Sequence, residues 1–517
     1  MMAVLLVWTG SVTAAELMVK VPAEEYRQTK SRLDALEEEI SQLKQEMKTQ
    51  PQQADTGGSS DRLRKLNRDI SEIYDTLDDV ETKSLLDRIS LGAELRIRMD
   101  NYIVDNYTPI TYSASTNLWT MENRLMDENN DGNWSSRMRI NMEADVSRTV
   151  KFHGRLQLYK NWADSDGRPS DDTNRAQRAV GDAQFKVDRF YVDWIPRFFI
   201  PIAITVGRQP TTDGPPFEFK ENRERQSTYP ALVFDGEPDG IVVTLGFERW
   251  TGLKNSGLRY FYAMAYQHDD DEQWYLDGIT GDNLKDTRVH GVFFETEIPK
   301  MRDSLLVLSY IPAADIVATN PATGAGDDLG DVTIYGAHLQ FRDLFGVGLD
   351  VFGSYARNRN EPNGKTVQFG SLDVDGDGVG DMPMHLGLFN SAMAEDAGST
   401  SPTEGEAFYV GFRYEIPVRF LEYPKIGFEY NKGSAYWFSF TPGPAEVYNK
   451  LATRGEVFDY YYTQPFNKYI DMRIGYTSIE YTHSNSTMPI GAPTDYKAAY
   501  GSLPKFENYY IMWECRF

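Results

Sequence analysis

The chain has 517 residues, is 41% hydrophobic and 13% aromatic, and carries a formal net charge of -24. This acidity, without a domain-wide basic surface, excludes a nucleic-acid-binding protein. The single cysteine, Cys515, excludes an intramolecular disulfide and a cysteine-rich metal cluster. No apolar run of about 18 residues follows the N-terminus, so the sequence predicts no transmembrane helix.

The first 15 residues resemble a secretory signal peptide. Ala3 to Trp8 form a short apolar core, and Thr13-Ala14-Ala15 fits a cleavage site. The usual basic N-terminal region is missing, so an apolar start retained on the mature protein is the alternative. We predict a signal peptide at 1–15 and therefore an exported protein.

Residues 16–84 carry two heptad segments separated by a polar Pro/Gly/Ser break at 49–60. In the second segment, the apolar residues at heptad positions a and d are Leu63, Leu66, Ile70, Ile73, Leu77 and Val80. This pattern predicts a coiled coil that supports self-association, with a single helical hairpin as the alternative.

From Ser90 onward the hydrophobic period changes to two. Predicted strands at 90–99, 135–146 and 150–161 alternate apolar with charged side chains over about ten to twelve residues, the length of a tilted membrane strand. We predict that the basic residues of one face line a pore. These residues, with one from a later strand, are Arg96, Arg98, Arg137, Arg139, Arg155 and Arg208.

The connections between predicted strands alternate in length. Long ones fall near 101–134, 162–183, 209–238, 268–287, 313–330, 358–404, 434–455 and 481–505, and short ones lie between them. Long loops on one side and short turns on the other are typical of outer-membrane barrels. We predict an all-β antiparallel transmembrane barrel over 88–517, of about sixteen strands, with fourteen and eighteen as alternatives. Both ends face the periplasm, and a barrel of this size encloses an aqueous channel.

The last strand places Tyr509, Ile511 and Trp513 on one face, places Glu514 on the other, and ends at Phe517. An amphipathic strand with a terminal aromatic residue resembles the C-terminal signature of bacterial outer-membrane barrels. We therefore predict an outer-membrane location, with a periplasmic N-terminal region.

A wider resemblance rests on the segment from Ile204 to Val243. It contains Val206-Gly207-Arg208-Gln209 and Phe234-Asp235-Gly236, and it resembles a strand-loop-strand motif of several porin families. The whole chain resembles an uncharacterised family of bacterial outer-membrane proteins, described only as a domain of unknown function. The resemblance implies a barrel in outer-membrane lipid but no settled substrate. The functional hypothesis is passive diffusion of small hydrophilic solutes or ions. Together with the heptads, the resemblance implies a homotrimer.

The third long loop, at 209–238, is the predicted constriction, because in sixteen-stranded porins this loop folds inward. Its acidic residues are Asp213, Glu218, Glu221, Glu224 and Asp235. Loop acids that face wall arginines would create a transverse field that selects among solutes. A solvated loop whose charges pair among themselves is the alternative.

A second acidic loop predicts a Ca²⁺ site. Asp373, Asp375, Asp377 and Asp381 occupy positions 1, 3, 5 and 9 of an EF-hand-like pattern, with glycine at position 6. The shorter match Asp127 to Gly132 repeats the first half. Both lack the bidentate glutamate at position 12, so an ordinary acidic surface turn is the alternative.

The sequence contains six histidines and none of the common catalytic motifs, so it predicts no enzyme and no required cofactor. The leading hypothesis is a porin. A structural anchor that contacts the cell wall through its coiled coil, and a barrel sheath of an extracellular electron-transfer complex, are the alternatives.

Overall fold

A computed structural model describes residues 89–107, 110–113, 115–121, 126–147, 149–162, 184–196, 198–266, 285–320, 322–441 and 449–517. The predicted signal peptide and coiled coil lie outside the described residues. The chain forms two compact units. Met1–Leu91 with Glu143–Val146 form one, of which only strand ends are described, and Gly92–Met142 with Ser147–Phe517 form the other.

Within the described residues, sixteen antiparallel strands close a barrel, which confirms the predicted fold class and strand number. The strands are β1 (Ile89–Tyr107), β2 (Met126–Asp145), β3 (Val150–Asn161), β4 (Gln184–Trp194), β5 (Ile202–Arg208), β6 (Asp239–Gly246), β7 (Gly257–Tyr266), β8 (Thr287–Thr296), β9 (Ser304–Ala314), β10 (Gly330–Phe341), β11 (Leu349–Pro362), β12 (Thr403–Glu415), β13 (Lys425–Gly433), β14 (Gly455–Pro465), β15 (Ile470–Tyr481) and β16 (Lys505–Arg516). Strand β16 closes the barrel against β1, with Arg96 opposite Glu514.

Helical structure in the described part is limited to short pieces. The α-helices are α1 (Phe217–Lys220), α2 (Glu248–Thr251) and α3 (Tyr496–Tyr500), and the 3₁₀ turns are Leu344–Gly346, Arg419–Leu421 and Lys450–Ala452. Among these residues, no helix has the length and apolar character to cross a membrane.

The barrel wall is amphipathic as predicted, with apolar side chains on the outward face and polar ones on much of the inward face. On β16, Tyr509 is 47% exposed whereas its neighbours Asn508 and Tyr510 are buried. The outward face carries aromatic pairs between neighbouring strands, such as Tyr476 and Tyr509, whose ring centroids are 4.6 Å apart. Such pairs stabilise adjacent strands, and an apolar outward face is what lipid contact requires.

The lumen is more completely filled with side chains than the predicted aqueous channel. Inner-wall side chains are fully buried at points around the barrel, including Asp188 on β4, Phe261 on β7, Ile311 on β9, His338 on β10 and Asp459 on β14. Side chains that line an open water-filled pore would remain accessible to water. The interior is filled here by side chains of two long loops, 209–238 and the described residues 434–441 and 449–454 between β13 and β14.

Long loops also build sheets of their own. Ile110–Ser113 and Leu118–Met121, from the first loop, join Val367–Asp373, Met382–Gly387 and Asn390–Ala392, from the loop between β11 and β12, in one five-stranded sheet. Its central pairing is parallel, with Ser371 opposite Leu118. Val317–Thr319 and Gly326–Asp328 form a separate two-stranded sheet.

Strands β1 and β2 extend further into the first long loop than the sequence predicted. Residues 127–132, the shorter calcium-like match, therefore lie in the extended strand β2 instead of a compact turn. Asp127 accepts a hydrogen bond from the backbone N–H of Asn106, at 3.0 Å. This stretch consequently lacks the wrapped geometry of a calcium loop.

Candidate functional site

The candidate site is the contact between the loop 209–238, which we call the plug loop, and the inner wall. Its fold depends on a close backbone approach at Gly214, where an added Cβ would lie 1.9 Å from the carbonyl oxygen of Tyr229. Helix α1 follows directly, and the backbone N–H of Ala231 returns to the carbonyl of Pro215, at 2.9 Å. The plug loop is thus a compact unit, not an extended strap.

One side of the plug loop attaches to the wall through apolar contacts. Phe219, Tyr229 and Leu232 are buried in a core shared with inner-wall residues such as Phe261 and Phe293. The Tyr229 ring lies 4.7 Å from that of Phe293, edge to face. Fully burying one such side chain stabilises by about 1.5–3 kcal/mol, so this side is a firm anchorage.

The opposite side of the plug loop attaches through buried charges, centred on Glu221. Its carboxylate pairs with Arg96 of β1 and with Arg473 of β15, the latter at 2.9 Å. Burial alone would raise the pKa of the Glu221 carboxyl, but the two guanidinium groups outweigh it and hold the pKa well below its usual value. Glu221 is therefore an anion at neutral pH, and it fixes the plug loop to β1 and β15.

A second charged contact involves Asp213, which accepts a hydrogen bond from Arg139 of β2 at 3.1 Å. Burial opposes its ionisation, yet Arg139 and Arg155 lower the pKa of the Asp213 carboxyl overall. Asp235 behaves differently. It accepts the backbone N–H of Asp213 at 2.9 Å, and burial together with the charge of Asp213 raises its pKa well above the usual range. Asp235 therefore adds little negative charge opposite the arginines.

The remaining predicted constriction acids face other parts of the wall. Glu218 accepts a hydrogen bond from Gln340 of β10, at 2.8 Å, and lies 3.6 Å from Arg342. Glu224 is largely exposed, 3.5 Å from Arg342. Of the five predicted acids, the structure brings Asp213 and Glu221 against the arginine wall.

The five predicted arginines of β1 to β3 are buried on the inner face, but with different partners. Arg98 pairs with Asp100 at 2.8 Å, and Arg137 lies 3.3 Å from Glu514. Arg155 pairs with Asp188. The prediction was wrong for Arg208, which stands opposite the outward-facing Phe190 in the strand register. Arg208 donates hydrogen bonds to Glu237 and Asp239, each at 3.2 Å.

Sequence reasoning missed two strong contacts of the plug loop. Arg223 forms a bidentate pair with Glu94 of β1, with both N···O distances at 3.0 Å. Lys220 forms a salt bridge with Asp459 of β14 at 2.6 Å, and Lys450 forms a second one with the same carboxylate, also at 2.6 Å. Strand alternation placed Glu94 inward and could have placed Asp459 there too. No local pattern identifies their loop partners.

The predicted calcium loop keeps its compact geometry. Ligand oxygens of Asp373, Asp375 and Asp377 lie within 4.8 Å of one another. Asp373 already accepts backbone N–H groups of Gly376 and Gly378, at 2.7 and 2.9 Å, and Asp381 accepts that of Val374. Internal bonds of this kind also stabilise an ordinary turn, so calcium binding remains a prediction.

A family profile described as "Protein of unknown function (DUF3373)" matches residues 127–505, more than half of the chain. The chain belongs to this family. The match covers the plug loop and the barrel from β2 to the start of β16. No curated protein sequence matches the chain.

Solved outer-membrane structures are similar at low sequence identity. A Salmonella typhi OmpF complex with daunomycin is 10% identical, with 83% of this chain and 97% of that chain covered and a TM-score of 0.43. A Vibrio cholerae OmpT with loop L8 deleted is 10% identical, with 83% and 99% covered and a TM-score of 0.39. In-vitro folded OmpT is 11% identical, with 83% and 97% covered and the same TM-score.

Proposed function

We propose that this DUF3373 protein is an outer-membrane channel for small hydrophilic solutes or ions, and that the plug loop closes it in the conformation described. The outward apolar face fits lipid, and the inward face of β1 to β4 and β14 to β16 carries charged groups. Passage requires the plug loop to move, since the inner-wall side chains are buried around it. The proposal assigns no enzymatic activity to the chain.

The observation that carries this proposal is the unequal attachment of the plug loop. Its apolar side packs like a protein core, whereas its other side holds Glu221 and Arg223 against Arg96, Arg473 and Glu94. Apolar residues of similar volume would close the same seam at no loss of stability. The ion pairs of Glu221 and Arg223, in contrast, can separate and become hydrated. The electric field of the separated charges then discriminates among ions.

The test is single-channel recording of the full-length protein in planar bilayers. The wild-type protein should show rare or small openings, and a variant without residues 213–228 should show a larger conductance and a changed ion selectivity. A variant without the exposed residues 374–380, in the loop between β11 and β12, serves as the control and should resemble wild type. Equal conductance and selectivity in all three proteins would overturn the proposal.

The packed lumen favours one second candidate, a barrel that serves as a closed membrane anchor for the predicted coiled coil. A closed anchor needs a stable core and no path for water, and the buried cluster around Tyr229 and Phe261 provides such a core. The wild-type recordings separate the two functions, because a closed anchor would show no openings, whereas a channel closed by the plug loop would show rare ones.

A further inference from the structure

A cavity of about 350 Å³ lies at the long-loop end of β1, β15 and β16. We call it the aromatic cavity, because Tyr107, Tyr481, Tyr496 and Phe506 line it. Tyr481 and Phe506 also pack against Val457 and Ile479, buried residues of the inner wall, so the cavity lies on the inner side of the barrel. Its volume is that of a site for a small molecule.

The charges around the aromatic cavity are predominantly negative. Lys505 and His483 both line the cavity. Lys505 donates a hydrogen bond to Glu507 at 2.8 Å and stands opposite Asp105 in the strand register. Its charge is therefore compensated locally. Glu128 also lines the cavity, with an exposed side chain, and contributes a further negative charge. A cationic ligand complements this arrangement, and an anionic one does not.

The walls restrict which cation fits. Calcium and magnesium require several oxygen ligands, usually including more than one carboxylate, whereas Glu128 is the one carboxylate among the described residues that line the cavity. An organic ammonium ion, in contrast, is attracted by aromatic ring faces, and quaternary ammonium groups are typically bound in aromatic cages.

We propose that the aromatic cavity binds a small organic ammonium ion, with Tyr107, Tyr481, Tyr496 and Phe506 as its aromatic walls and Glu128 as its counter-charge. The proposal extends the proposed channel function by naming a class of solute. Only the transport of this solute, and not its binding, rests on the proposed channel. Binding itself is measured on protein in detergent, so a protein that binds the ion yet conducts nothing would reject the channel and keep the site.

The experiment is calorimetric titration of full-length protein with choline and with 3,3-dimethyl-1-butanol, its neutral isostere. Choline should bind about tenfold more tightly, since the isostere has the same shape and lacks the charge. Tyr496→Leu should weaken choline binding about tenfold, and Tyr496→Phe should retain it because the ring face remains. Glu128→Gln should weaken it severalfold.

Tyr469→Leu is the matched control, because Tyr469 is exposed in the turn between β14 and β15 and does not line the cavity. It should bind choline as wild type does. Equal affinity for choline and its isostere, unchanged binding in Tyr496→Leu, or absence of choline binding would each overturn the proposal. Tighter binding of a neutral sugar than of choline would overturn it as well and assign the cavity to a different ligand class.

Discussion

Glu221→Gln is the sharpest test of how the plug loop is held. The substitution keeps the shape of the side chain but removes the charge that compensates Arg96 and Arg473. Removing one partner of a buried ion pair typically costs about 3–5 kcal/mol. Glu514, 3.2 Å from Arg96, continues to compensate one arginine, so we expect a loss of about 2 kcal/mol. That loss corresponds to an increase of roughly 30-fold in the population with a detached loop.

Two measurements on the purified protein detect this change. Limited proteolysis within residues 213–228 should accelerate, and channel openings in planar bilayers should become more frequent. Glu224→Gln is the matched control, since it makes the same substitution in the same loop at a largely exposed side chain. Surface ion pairs contribute little, so the control should behave as wild type. Identical proteolysis of both variants would refute the assigned role of Glu221.

The same contact predicts a pH dependence. The pKa of Glu221 is lowered in the folded protein, so its stabilisation is fully present above its ordinary value of 4.5 and is lost only as the pH falls through the lower folded value. Opening frequency should therefore stay constant between about pH 7 and pH 5 and rise only in stronger acid. A steep rise already between those two values would contradict the buried pairing.

Three further predictions concern other regions. Gly427→Ala should destabilise the barrel by about 1–3 kcal/mol in urea unfolding, because its Cβ would lie 2.1 Å from the Tyr461 ring, whereas Gly353→Ala, with its nearest atom at 3.8 Å, should change little. Replacing Asp375 and Asp377 with Asn should abolish calcium protection of loop 358–404 from proteolysis, and a wild-type loop cut equally with calcium and with chelator would reject the site. Crosslinking in native membranes should give a trimer that is lost when residues 16–84 are deleted, and a purely monomeric wild-type pattern would reject trimerisation.

The sequence by itself determined the barrel, its strand number and the inward direction of the arginines on β1 to β3. The physical reason is that a strand alternates its side chains between two faces, so the parity of each position assigns Arg96, Arg137 and Glu514 to the inner face and Tyr509 to the outer face. Loop lengths then fixed the antiparallel order, because a short turn joins only neighbouring strands. These features are local and can be read along the chain.

Only the tertiary structure decided how the lumen is filled and which charges meet. Glu218 and Glu221 are three residues apart, yet they contact separate regions of the wall, at Gln340 on β10 and at Arg473 on β15. The alternation of side chains along a strand assigns a residue to the inner or the outer face. It does not determine which loop residue will contact that side chain. The pairing of Lys220 with Asp459 joins positions 239 residues apart. It depends on how the apolar side of the plug loop packs, which is a property of the closed barrel and not of any segment.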